Sequence, residues 1–85
     1  MTFEDAVRRA VTTFGELTKL PVDSVAGVVH DQHGWIVTLE ALQRRAIPDT
    51  MDILGLYEVH MSDSGELIRI ERKMLRKRGE TSDEA

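Results

Sequence analysis

The groups in this 85-residue chain that could do chemistry are three histidines, fifteen carboxylates and eleven basic residues; there is no cysteine. Without cysteine there is no disulfide, no thiolate metal site and no thiol nucleophile, which is compatible with a reducing cytoplasm. His30-Asp31-Gln32-His33 sets two imidazoles at an i,i+3 spacing. In a turn that spacing does not bring both rings to one side, and no third ligand is evident, so the pair reads as solvated turn histidines rather than a metal site. His60 follows Glu58 by two residues, which on a strand makes a same-face surface pair. No serine lies in a Gly-x-Ser-x-Gly context, and the six glycines are too scattered to cradle a phosphate. Catalytic, metal and cofactor-binding residues are therefore all read as none.

Glu40, Asp49, Asp52 and Glu58 could be imagined as paired carboxylates, but Arg44 and Arg45 lie among them in the sequence, so ion pairs with those arginines are the expected use. The six cations Arg69, Arg72, Lys73, Arg76, Lys77 and Arg78 share their segment with one acid, a local sum of +5 that leaves −9 on the rest of the chain. Such a stripe is either a contact surface or a charged edge strand that discourages aggregation. Nucleic-acid modules usually add stacking aromatics and a positive domain charge; here aromatics are 5% and the net charge is −4. Nucleic acid is accordingly the second reading, as a small regulator. Trp35 and Tyr57 read as core or rim anchors.

The elements that must position these groups follow from periodicity. Thr2-Phe3-Glu4-Asp5 resembles a capping box, and Phe3, Ala6, Val7, Ala10, Val11, Phe14 and Leu17 recur at helical spacing, predicting a helix over about 3–19 that ends at Leu20-Pro21. The period then changes to two. Strands are predicted at Val25–Val29, Trp35–Gln43, Ile53–Met61 and Leu67–Leu75, with turns at His30–Gly34 and Ser62–Gly65. One helix and four consecutive strands give an α+β domain, a single unit over 1–79, with the helix packed on one face of a four-stranded antiparallel meander. Residues 80–85 read as a disordered acidic tail. The other sheet face carries Ile36, Leu42, Leu54 and Leu56, an apolar set expected to meet a partner or form a homodimer. No apolar run is long enough for a membrane helix, so no membrane insertion is expected.

Between the middle strands stands Arg44-Arg45-Ala46-Ile47-Pro48-Asp49-Thr50-Met51-Asp52, where a two-residue turn would suffice. Taken with Gly34-Trp35-Ile36-Val37-Thr38-Leu39-Glu40, Tyr57-Glu58-Val59, Asp63-Ser64-Gly65-Glu66-Leu67 and the Arg-rich end at Arg78-Gly79, it resembles the gas vesicle protein O family (GvpO). The departures are Ala46 between Arg45 and Ile47, and Met74-Leu75 where an aromatic is commoner. The resemblance implies a cytoplasmic, non-enzymatic accessory of gas vesicle formation that contacts other gas vesicle proteins during assembly and is associated with the vesicle. Together with the proline, which stiffens the connection, it makes Arg44, Arg45, Ile47, Pro48, Asp49 and Asp52, with Leu54 and Leu56 on the adjoining face, the expected partner-binding residues.

Overall fold

The computed structural model describes residues 1–79, so the reading of 80–85 as a tail lies outside the described residues. Helix α1 spans Phe3–Thr18 and begins with the expected capping box: the Thr2 hydroxyl accepts from the Asp5 N–H while the Asp5 carboxylate accepts from the Thr2 N–H. It ends one residue earlier than predicted. Lys19 adopts a left-handed conformation (φ 63°) and donates its N–H to the Gly15 carbonyl at 2.9 Å, a C-cap that starts the turn into Pro21.

Four strands follow, β1 (Val22–Asp31), β2 (Gly34–Arg44), β3 (Ile53–Met61) and β4 (Leu67–Lys77), as one antiparallel sheet in the order β1-β2-β3-β4. The α+β meander is as read from the sequence. β1 is twice the predicted length, because register breaks between Val22 and Ser24 and between Val25 and Gly27 interrupt the alternation by which a strand is recognised. His30 and Asp31 are strand residues, and only Gln32 and His33 form the turn. Gly34 follows at φ 129°, and a Cβ there would lie 2.1 Å from the Met61 carbonyl oxygen, so close strand approach requires glycine. β4 also runs two residues beyond its predicted end.

Ala6, Ala10 and Phe14 of α1 bury completely against Val37, Leu39, Ala41, Tyr57 and Val59. Two alanines let the helix approach closely, and the Phe14 ring fills the gap, meeting Tyr57 edge-on at 4.9 Å. Burying such a phenylalanine contributes roughly 1.5–3 kcal/mol. Tyr57 passes its hydroxyl hydrogen to the Gln43 side-chain oxygen, which satisfies the polar end of a buried ring. At the far end Trp35 is sandwiched: Phe3 meets it edge-on at 5.1 Å and the His30 ring stacks flat on it at 4.0 Å. His30 also reaches Asp63 at 2.7 Å. It is exposed, as the sequence suggested, but it is a strand residue rather than a turn residue, and strand pairing places it directly opposite Trp35.

Candidate interaction surface

The face of the sheet away from α1 is read off the pairing register. One cross-strand row is Val29, Ile36, His60 and Arg69; the next is Gly27, Thr38, Glu58 and Glu71; then come Ser24, Glu40, Leu56 and Met74; Leu42, Leu54 and Arg76 complete it. The apolar residues expected here share the face but do not make one patch. Ile36 lies at one end and Leu42, Leu54 and Leu56 at the other, with the Thr38–Glu58–Glu71 row between them.

Charge also roofs part of it. Arg76, on β4 opposite Leu54, reaches across β3 to Glu40 on β2 with two hydrogen bonds of 2.7 and 2.9 Å. This planar fork spans the row between Leu54 and Leu56, and Leu54 is only 1% exposed. Leu54 therefore packs within the protein, whereas Leu56 is half-buried and Met74 exposed.

Beside this end stands the Arg44–Asp52 connection. Ile47-Pro48 is a cis peptide, and Asp49–Met51 form a single 3-10 turn. Its anchor is Asp52, a carboxylate 2% exposed. One oxygen accepts from the Ala46 N–H at 2.7 Å and the other from Arg78 at 3.2 Å, while its carbonyl accepts from the Arg78 N–H at 2.8 Å. The Arg78 guanidinium also grips Asp23 of β1 at 3.0 Å, and the Gly79 N–H donates to the Thr50 carbonyl at 2.9 Å. Carboxylate hydrogen bonds push both guanidinium groups further up, Arg76 chiefly through Glu40 and Arg78 chiefly through Asp23, so both stay charged at any ordinary pH.

The expected pairing of Arg44 and Arg45 with Glu40, Asp49, Asp52 or Glu58 is not what forms. Glu40 takes Arg76, Glu58 takes His60 at 3.0 Å, and Asp52 takes Arg78. The antiparallel return of β4 brings its arginines within reach, while Arg44 and Arg45 project to solvent with no ion pair among the described residues. Asp49 and Pro48 are exposed as well, Met51 is about half exposed, and Ile47 is 98% exposed. A hydrophobic side chain is thus held out in water by a connection whose backbone is hydrogen-bonded on both flanks.

Along the basic strand, Arg69 and Lys73 hold the two oxygens of Glu71. With Arg76 and Arg78, at least four of the six cations are engaged by carboxylates among the described residues. Glu58, His60 and Glu71 bring three donor atoms within 4.8 Å of one another, the spacing of a metal site. Arg69 and Lys73 already occupy both Glu71 oxygens and would repel a further cation, so the protein's own charges fill that role.

The chain matches the family model for the gas vesicle synthesis protein GvpO over residues 1–82. It belongs to the GvpO family. Relatives similar to it include gas vesicle protein O of a Streptomyces species, 34% identical over 73 residues, covering 86% of this chain and 57% of the relative. Gas vesicle protein O1 of Halobacterium salinarum is 28% identical over 83 residues, covering 98% of this chain and 70% of the relative. Gas vesicle protein O of Haloferax mediterranei is 30% identical over 81 residues, with 94% and 58% covered. The chain thus spans a little under three fifths of the Streptomyces and Haloferax relatives. No solved structure matches it. No helix among the described residues is long and apolar enough to cross a membrane.

Proposed function

We propose that this GvpO-family chain is a non-enzymatic accessory of gas vesicle formation that works in the cytoplasm, associated with the vesicle, by binding other gas vesicle proteins. The contact is made by the Arg44–Asp52 connection and the Leu56–Met74 end of the open face beside it. The observation that carries this reading is Ile47, 98% exposed on an anchored connection. A fixed loop loses little entropy on binding, so an apolar anchor there keeps most of its burial free energy for the interface. Arg44 and Arg45, without an ion pair among the described residues, precede it and suit a partner surface where an apolar socket is rimmed by carboxylates.

The open face suits a different protein better than a second copy of this chain. Its central row is polar, Thr38, Glu58 and Glu71, and both carboxylates are already held by His60, Arg69 and Lys73, so an identical face laid upon it would gain neither apolar burial nor a new ion pair there. The alternative reading, a regulator that binds nucleic acid along β4, is opposed by the commitment of Arg69, Lys73, Arg76 and Arg78 to internal carboxylates.

The test is deletion of this reading frame in its native host, with plasmid rescue, scored by electron microscopy and shell-protein transcript levels. Loss of vesicles at constant transcript level is expected. A fall in the transcripts would favour the regulator, and unchanged vesicles would remove the accessory role.

A further inference from the structure

Among the described residues β1 and β4 are the two edge strands of the sheet, and they are guarded differently. β4 carries Arg69, Arg72, Lys73, Arg76 and Lys77, the kind of charge that discourages strand addition. β1, VDSVAGVVHD, contains no lysine, arginine or proline. Register breaks kink its first half, but pairing with β2 is unbroken from Gly27 to Asp31. Asp31 and Gly34 close a two-residue turn and so form a hydrogen-bonded pair. Alternation from that pair turns the backbone N–H and C=O of Val28 and His30 away from β2, toward the open edge.

We propose that the Gly27–Asp31 edge pairs antiparallel with the same edge of a second copy, about a two-fold axis at Val29, joining two four-stranded sheets into one of eight. In this register Val28 of one copy faces His30 of the other, so their outward backbone groups satisfy each other. Asp31 comes opposite Gly27, and no like charges meet. Val29, 56% exposed, meets its own counterpart on the open face beside Ile36. On the helix side, Phe3, Val7 and Val28 line an apolar groove at the seam of α1 and β1, together with Glu4 and Arg8. The same axis turns two such grooves toward each other and offers Glu4 of each copy to Arg8 of the other, the reciprocal exchange a two-fold interface requires. This association involves neither Ile47 nor its connection and is independent of the partner-binding role.

The chain has no cysteine, so Val29→Cys is a clean reporter. At the axis the two Cα atoms form a non-hydrogen-bonded pair about 4.5 Å apart, within disulfide reach. Light scattering of the full chain is expected to give twice its 9.6 kDa. Val29→Cys should oxidise to a covalent dimer that coelutes with the wild-type dimer, far faster than Arg72→Cys on the other edge. Val29→Lys, folded by circular dichroism, should run as a monomer. A wild-type mass of 9.6 kDa with Val29→Cys crosslinking no faster than Arg72→Cys would overturn the proposal. So would a dimer that Val29→Lys leaves intact, since its contact would lie on another surface.

Discussion

The Gln32-His33 turn and the Arg44–Asp52 connection both join neighbouring antiparallel strands, but they spend their residues differently. The turn is as short as a hairpin allows, exposes polar side chains, and depends on a glycine wedged against Met61. The connection is long, anchored by a buried carboxylate, and exposes an isoleucine and two arginines that have no ion pair among the described residues. Folding alone accounts for every feature of the turn. In the connection it accounts for Asp52 and its hydrogen bonds but not for Ile47, which stabilises nothing where it stands. That contrast, an exposed apolar side chain on a connection that hydrogen bonds hold still, is what the proposed partner-binding role rests on.

Substitutions at the two connections should separate these roles. The largest effect is expected for Gly34→Ala, where a Cβ must displace the Met61 carbonyl and the residue must hold φ 129°: a loss of about 4 kcal/mol, read as a lowered denaturant midpoint. Asp52→Ala leaves the Ala46 N–H and part of the Arg78 charge unsatisfied. It should cost about 3 kcal/mol, discounted because Arg78 is partly exposed and keeps Asp23. In a double-mutant cycle Asp52→Ala and Arg78→Ala should be strongly non-additive, since they share one anchor. Ile47→Asp should change stability by no more than about 0.5 kcal/mol, yet weaken binding to gas vesicle proteins.

Acid gives the smallest effect and comes from neither connection. The Thr2 N–H and hydroxyl hold the Asp5 carboxylate below its ordinary value of 3.8, and the Arg69 hydrogen bond, helped by Lys73, holds Glu71 below 4.5. Folded pKa values lower than unfolded ones mean stability that is complete above those ordinary values and is lost as pH falls through the folded ones. Thermal midpoints should therefore drop on acidification below 4.5, and Asp5→Asn should make that drop shallower.

The fold was legible in the sequence where one period ran without interruption. Phe3 to Leu17 at helical spacing, and Trp35, Val37, Leu39 and Ala41 at alternate positions, correspond to the helix and the strand that carry most of the core. β1 was half missed because two bulges break the alternation on which recognition depends. The charge pairs were missed for the same physical reason. Counted back from the Ser62–Gly65 turn without bulges, Asp52 would face Arg76; the two register breaks between β3 and β4 bring Arg78 there instead and leave Arg76 free to cross to Glu40. Local proximity points to Arg44 and Arg45, and only the return of the chain shows that Glu40 and Asp52 take Arg76 and Arg78 instead. The stack of His30 on Trp35 likewise needs the register rather than the spacing.

The measurement that bears most directly on the central claim is exchange of the native gene for an Ile47→Asp allele, with vesicles counted by electron microscopy and the protein quantified in the same cells. The account predicts that vesicles are lost or sharply reduced while the variant accumulates at the wild-type level. Normal vesicles at normal protein level would contradict it, because the exposed isoleucine would then serve neither the fold nor a partner.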